Sequence, residues 1–375
     1  MNKTPLVWKV GHTEDPSNTP ARFVPARVPG AVQLDWAEAE GWDAHWKGEN
    51  FEQYRWMEEV YWVYQAVLEL PERGGDQRVF FVSKGVDYQF VVRLNGKTIH
   101  GQEGMFTPVE IDITELAKSG DVLQVVVFPA PDSGEVECGR EQANQCVKPP
   151  VAYGWDWHPR LIPLGIWDET YLELRSDIHF HDTSIDVILN EELDFGHAEV
   201  AIELSKPLRG SVEWSLKDPE GDVVDAQSIS LTDQWMVDIS SEVHNPDLWW
   251  PHDHGGQKLY SVSISLHDTD GKTLDQYNRR FGFRRMRLVE NPGTWDEPSG
   301  FPKTRSVPPM TLEVNGRRMF AKGSNWVPPD IFPGRINADT YLPLLEMAKE
   351  ANFNLLRNWG GGIVNKDSFF EICDE

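Results

Sequence analysis

Cysteine is nearly absent from this 375-residue chain, with Cys138 and Cys146 close together and Cys373 near the far end. Three residues exclude a scaffold of disulfides, and their spacing matches no zinc pattern. Cys138 and Cys146 leave two readings open, a local bridge or two free thiols. Long hydrophobic runs are missing as well. No stretch approaches the ~20 apolar residues that cross a bilayer, and the opening Met1-Asn-Lys-Thr-Pro5 lacks the apolar segment of a secretory signal. A cytoplasmic protein is expected. Positive charge is scarce, 35 Lys and Arg against 60 Asp and Glu, for a formal net charge of −25. Phosphate backbones and anionic lipid repel such a chain, which argues against nucleic-acid and membrane partners and suits a neutral ligand. Neither an internal repeat nor a low-complexity tract is visible.

What is present is the composition of a globular protein, 40% hydrophobic and 25% charged. The length suggests two or three domains with sizeable cores. Sixteen tryptophans stand out; their flat apolar faces suit both core packing and stacking against sugar rings.

Over residues 60–175 the chain reads as short strands rich in β-branched and aromatic residues, such as Val60-Tyr-Trp-Val-Tyr-Gln-Ala-Val-Leu68 and Tyr88-Gln-Phe-Val-Val-Arg-Leu94. Asn95-Gly96 supplies a two-residue hairpin turn, in which both central residues must tolerate positive φ. Many short strands with almost no helical period imply a β-sandwich. A second set, including Ala198-Glu-Val-Ala-Ile-Glu-Leu204, Ser211-Val-Glu-Trp-Ser-Leu216 and Leu259-Tyr-Ser-Val-Ser-Ile-Ser-Leu266, alternates apolar and polar positions and has the size of an immunoglobulin-like sandwich. Residues 291–309 hold five prolines and read as a linker or an extended loop laid over the surface. Beyond Met310 comes a hairpin closed by Asn315-Gly316. A helix follows over 338–351 with Tyr341, Leu344, Leu345 and Ala348 on one face and Asn337 as its N-cap. Asn354-Leu-Leu-Arg-Asn-Trp359 reads as a short buried strand, and a second helix begins near 366. Strand, helix, strand, helix is the opening of a parallel α/β unit.

Three stretches, in order, carry a resemblance to the β-mannosidases of glycoside hydrolase family 2. They are Tyr153-Gly-Trp-Asp-Trp-His-Pro-Arg-Leu-Ile-Pro-Leu-Gly-Ile-Trp167, Gly323-Ser-Asn-Trp-Val-Pro-Pro-Asp-Ile-Phe-Pro-Gly-Arg335 and Asn352-Phe-Asn-Leu-Leu-Arg-Asn-Trp-Gly-Gly-Gly362. Val28-Pro-Gly30, Leu248-Trp-Trp-Pro251 and Phe281-Gly-Phe-Arg-Arg285 are weaker echoes. The joint occurrence is specific where any single motif is not. It implies a mainly β, multidomain chain: a jelly-roll-like sugar-binding sandwich over 1–176, an immunoglobulin-like sandwich over 177–288, a linker over 289–309, and the first two βα units of a (β/α)8 TIM barrel over 310–375. Two positions depart from the family pattern, His158 in place of Gly and Asn358 in place of a small aliphatic residue.

By the same resemblance Trp155 and Asp156 touch a terminal sugar, Trp155 and Trp157 giving apolar walls and Asp156 acceptor oxygens for two adjacent hydroxyls. Taken alone, Trp155-Asp156-Trp157 reads first as a packed strand end with Asp156 capping a turn; the family context favours sugar contact. Trp359 would line the pocket at the C-terminal end of the second barrel strand, the catalytic face of such barrels. Arg357 would lie beside the nucleophilic carboxylate and keep it ionised, or sit in a buried ion pair. Asn325 and Trp326 would line the same pocket or pack the barrel against its loops. His252-Asp-His254, without a third ligand, reads as solvent-facing rather than as a metal site; no metal or cofactor is expected.

Retaining hydrolysis needs two carboxyls about 5 Å apart, which the family takes from Glu residues later in the barrel. Residues 310–375 are roughly a quarter of the ~250 that a barrel needs. The acid/base and the nucleophile are therefore expected beyond Glu375, and the chain alone is expected to be inactive. The expected activity of the whole protein is exo-β-mannosidase, with carbohydrate as its partner and a homo-oligomer in keeping with the family. The alternatives are another family 2 exo-glycosidase (β-galactosidase, β-glucuronidase, exo-β-glucosaminidase) and a non-catalytic carbohydrate-binding module.

Overall fold

A computed structural model describes residues 2–131, 146–294 and 309–375. Cys138 and most of the proline-rich 291–309 stretch lie outside them, so neither the bridge nor the linker reading is addressed. The described residues form two compact units. The first holds Met1–Arg175, Trp326–Tyr341 and Asn358–Ser368, the second Ser176–Asn325, Leu342–Arg357 and Phe369–Glu375. Among the described residues no helix is long and apolar enough to cross a membrane.

The first unit is a β-sandwich. One sheet runs in the order Asn2–Pro5, Thr170–Ser176, Gln77–Ser83, Val109–Asp112; the other is Val24–Ala26, Trp8–Thr13, Tyr61–Val67, Val122–Val127, Gln89–Leu94, Lys97–Glu103. Inward residues of both, among them Val10, Tyr64, Phe90 and Val125 from one and Val79, Phe81 and Leu172 from the other, share a single core. The Asn95-Gly96 hairpin has both φ angles positive, 49° and 80°, as its two-residue turn requires. The helix Val32–Glu40 is an addition to the sequence reading, which places its first strand at residue 60. Several tryptophans are core residues: Trp36 and Trp62 pack edge-on with ring centroids 5.6 Å apart, and Trp62 is fully buried.

The segment after Trp326 adds to this core. Phe332 is fully buried in it, and the backbone beside it sits on the Val28-Pro-Gly30 turn. A Cβ on Gly334 would stand 2.3 Å from the Gly30 carbonyl oxygen. The glycines of two separate motifs thus meet back to back, where a side chain on Gly334 has no room.

The second unit contains a sandwich made largely by one ribbon. Phe195–Lys217 and Val223–His244 pair antiparallel along most of their lengths. The first half of Phe195–Lys217 also pairs with Phe180–Leu189, the second half with Tyr260–Asp268, which pairs in turn with Thr273–Phe281. What the alternation marks as two strands, 198–204 and 211–216, is one strand with a register shift between Glu203 and Leu208. The shift falls at Ser205-Lys206-Pro207, where proline cannot donate to the ladder. Residues on both sides of it, Val200 and Ile202, then Val212 and Trp214, enter the same core. Phe283, fully buried, lies against Gly196 where a Cβ would stand 2.5 Å from its ring.

Beyond this sandwich, Met310–Val314 and Arg317–Met319 form the hairpin read at Asn315-Gly316, with φ of 48° and 72°. Then come strand Gly323–Trp326, helix Ala338–Glu350, strand Leu355–Asn358 and helix Asp367–Asp374. The strands pair in parallel: the Lys322 carbonyl accepts from the Asn354 N–H and the Trp326 carbonyl from the Trp359 N–H, each at 2.9 Å. Asn337 caps the first helix, its Oδ1 accepting the Thr340 N–H at 3.1 Å, and Tyr341 and Leu345 are buried on its apolar face. Leu355–Asn358 is not the buried strand expected. Its residues are exposed or half-buried, and among the described residues it pairs with Gly323–Trp326 alone.

Candidate functional site

In the first unit, a tight turn brings two tryptophans to a third that lies about 200 residues away in sequence. The chain enters through the helical turn Pro150–Tyr153, whose Tyr153 is buried and donates its hydroxyl to the Pro131 carbonyl at 2.8 Å. Gly154, at φ 107°, then turns the backbone. Trp155 and His158 exchange backbone hydrogen bonds, N–H of each to carbonyl of the other, at 2.9 and 3.3 Å. Asp156 and Trp157 are left at the exposed tip, Trp157 being 54% exposed. At the exit Arg160 grips Glu58 through Nε at 3.0 Å and Nη2 at 2.6 Å.

Trp359 comes from the other segment. Its ring packs against Gly361, where a Cβ would stand 2.4 Å from the indole. Gly362 is equally closely fitted against the Pro328 ring. The Val151 N–H donates to the Gly361 carbonyl at 3.3 Å and ties the two segments together. Trp359 stands between the other two indoles, 5.4 Å from Trp155 with rings nearly perpendicular and 5.5 Å from Trp157.

Beside these rings is a cavity of about 180 Å³, lined by Trp157, His158 and Trp359, by Pro328 and Asp330, and by Asp87 and Lys148. Asp87 and Lys148 form an ion pair whose side chains are 2% and 1% exposed. Burial pushes the Asp87 carboxyl above its ordinary value and the Lys148 ammonium opposes the shift. Burial lowers His158 below the usual imidazole value, so its ring is neutral at pH 7 and can accept or donate a hydrogen bond.

The six residues singled out from the sequence divide between the units. Trp155, Asp156, Trp326 and Trp359 belong to the first, Asn325 and Arg357 to the second. Trp155 and Trp359 are brought into ring contact with Asp156 between Trp155 and Trp157. The Trp326 indole N–H donates to Asn365 Oδ1 at 3.0 Å, and Asn365 donates in turn to Asn358 Oδ1 at 2.8 Å. The departure at Asn358 is thereby accounted for as the end of a hydrogen-bonded chain. Arg357 is exposed rather than in a buried ion pair, and its Nη1 donates to Asn325 Oδ1 at 3.1 Å. In the His252-Asp-His254 stretch Asp253 pairs with Lys322 at 3.1 Å. His158, marked in the sequence only as a departure, lines the cavity. So do Asp87 and Lys148, which no motif signals.

Residues 8–168 match the family described as "Glycosyl hydrolase 2 galactose-binding domain-like", and residues 178–284 match "Glycosyl hydrolases family 2". The chain carries the N-terminal domains of glycosyl hydrolase family 2. Among curated proteins, β-mannosidase B of Aspergillus clavatus is 28% identical over 98% of the chain and 44% of that protein. The β-mannosidase of Rattus norvegicus is 29% identical over 98% and 43%. The solved β-D-mannosidase of Dictyoglomus thermophilum covers the whole chain with a TM-score of 0.84 at 28% identity, and 46% of that structure is matched. The exo-chitosanase of Amycolatopsis orientalis, with a TM-score of 0.73 at 18% identity, shares the fold. This family 2 chain therefore spans less than half the length of the curated relatives it matches.

Proposed function

We propose that this chain is the sugar-facing N-terminal part of a retaining exo-β-mannosidase that releases terminal non-reducing β-D-mannose. The observation that carries the reading is the Trp155–Trp359–Trp157 contact, which assembles apolar walls from two separate motifs of a chain 28–29% identical to proteins named β-mannosidases. In this reading the indoles hold the faces of one sugar ring, and Asp156 at the tip accepts hydrogen bonds from a pair of its hydroxyls. Arg357, exposed at the end of its strand, supplies the positive charge that keeps a nucleophilic carboxylate ionised. The two hydrolytic carboxyls belong to the part of the relatives' length that this chain does not span, and no Glu or Asp here is assigned their role. Asn325 stands behind Arg357 as its hydrogen-bond partner, and Trp326 braces the strand end that carries Trp359.

The test is turnover of aryl β-mannoside, β-galactoside, β-glucuronide and β-glucosaminide. The 375-residue chain is expected to cleave none, and the chain extended by a full barrel to cleave the mannoside fastest. Turnover by the shorter chain would place a catalytic pair within it. Preference of the longer one for another glycoside would keep the family and discard mannose.

A further inference from the structure

The stretch that leads out of the tryptophan turn is buried without being a strand. Leu161, Ile162 and Leu164 are 1–2% exposed, and the strand Gly165–Ile166 begins only after them. Buried backbone outside a ladder must find partners elsewhere, and here side chains provide most of them. Gln33 serves the residues on both sides of Pro163: its Nε2 donates to the Ile162 carbonyl at 2.7 Å, and its Oε1 accepts the Leu164 N–H at 3.2 Å. Pro163 has no N–H, so its carbonyl is its one backbone polar group. That carbonyl accepts from Lys148 Nζ at 2.7 Å.

A buried ammonium is a costly donor for a single carbonyl, and the neutral Gln33 shows that charge is not needed for such a bond. What Lys148 adds is reach. It precedes the turn Pro150–Tyr153, while Pro163 follows the tip, so the bond joins the entry of the loop to its exit. Asp87, on the strand Val86–Asp87 that pairs with Gly165–Ile166, neutralises the ammonium and anchors it to the sandwich. Between the joined ends stand Trp155, Asp156 and Trp157.

We propose that Lys148, held by Asp87, is a positioning residue that clasps the two ends of this loop and fixes the tryptophan turn for its ligand. The clasp rests on the sugar-site reading only for the identity of that ligand. Displacement of a contact group by about 1 Å can cost on the order of a hundredfold in function, so a clasp has consequences well beyond its own hydrogen bond.

The test replaces both charges with apolar side chains of similar size, Asp87→Leu with Lys148→Met, an exchange that often leaves stability unchanged. Three quantities are compared with the unaltered chain: Tm, amide hydrogen exchange, and affinity for methyl β-mannoside. The expected result is a retained Tm, with exchange at the Trp155 and Leu161 amides rising at least about tenfold while the sheets keep their protection, and affinity falling about tenfold or more. A retained Tm with unchanged exchange at those amides would overturn the clasp. Should the apolar pair fail to fold, Asp87→Asn with Lys148→Gln removes the charges and ends short of Pro163; it is expected to free the same amides, and their unchanged protection would likewise overturn the proposal. If the unaltered chain binds no mannoside, the functional reading falls while the exchange data still decide the clasp.

Discussion

In the second sandwich, Tyr260, Val262, Ile264 and Leu266 point inward from one strand in strict alternation, and ladders satisfy the backbone. Its conspicuous buried polar feature is small: the Trp214 indole donates to Ser241 Oγ at 2.7 Å, and Ser241 bonds Asp225. In the first sandwich the core is closed partly by irregular chain, including the Gly30–Gly334 contact, the stretch from Leu161 to Leu164 held by Gln33 and Lys148, and Arg160 on Glu58. The tryptophan turn belongs to this irregular sandwich. Ladders stabilise by repetition and leave each side chain's direction set by period; a turn aimed at a ligand needs individually placed partners. Buried polar groups mark a turn of that kind.

The comparison can be broken by energy. Trp214→Ala is expected to cost about 3–5 kcal/mol in urea denaturation, as for other buried aromatics, because the residue is 2% exposed at the centre of the regular core. A loss under about 1 kcal/mol would mean that the ladder rather than the core holds the second sandwich.

The regular parts are the legible ones. Alternation locates Tyr260–Asp268, the two Asn-Gly pairs locate their hairpins, and Asn337 marks a helix start. The long strand Phe195–Lys217 reads as two because Pro207 interrupts the period while the pairing resumes beyond it. Leu355-Leu356 reads as buried because an apolar pair says nothing of how many strands lie beside it. The ring contact between Trp155 and Trp359 is reachable only through resemblance, since no period links residues about 200 apart. The Asp87–Lys148 pair and the Gly30–Gly334 contact leave no local signal at all, for each depends on two chain segments meeting in space.

Acid should separate the two sandwiches. Burial pushes the Asp35 carboxyl up to about 7, opposed by the Arg27 N–H it accepts at 3.1 Å. A raised folded value favours the folded state fully below about pH 4, the unfolded carboxylate range, and that contribution is lost as pH rises towards 7. Asp35→Asn keeps the acceptor and removes the charge, so the variant should match the native chain near pH 4 and exceed it by a few kcal/mol at pH 8, at about 1.4 kcal/mol for each pH step between the unfolded and folded values. Asp225 runs the other way. Burial raises it, but hydrogen bonds from Ser241 and Gln227 hold it below its ordinary value, so its contribution is present above about pH 4 and fades below it. Chemical denaturation between pH 2 and 8 checks both, the lower half for Asp225 and the upper for Asp35; a stability of Asp35→Asn that parallels the native curve would remove the contrast.

Close packing offers a smaller effect. Gly334→Ala should cost about 1–3 kcal/mol through overpacking, since its Cβ meets Gly30 backbone atoms, whereas Gly75→Ala, with open space around it, should leave the denaturation midpoint unchanged. Smallest of all, Leu355→Ser at a position 36% exposed and Phe320→Ser at one 83% exposed should each stay within about 0.5 kcal/mol in this chain. A larger loss at Leu355 would show that its strand is covered, and one at Phe320 that its ring is packed rather than exposed.

The central claim is that the sugar-facing wall is assembled within the first unit. It is tested most directly by the indole N–H resonances of the ¹⁵N-tryptophan-labelled chain, followed during titration with methyl β-D-mannopyranoside. The Trp155, Trp157 and Trp359 signals are predicted to move together along one binding curve, while Trp46 and Trp235, 66% and 47% exposed but outside the cavity lining, remain in place. Motion of the two exposed indoles to the same extent, or stationary signals from the three, would contradict it.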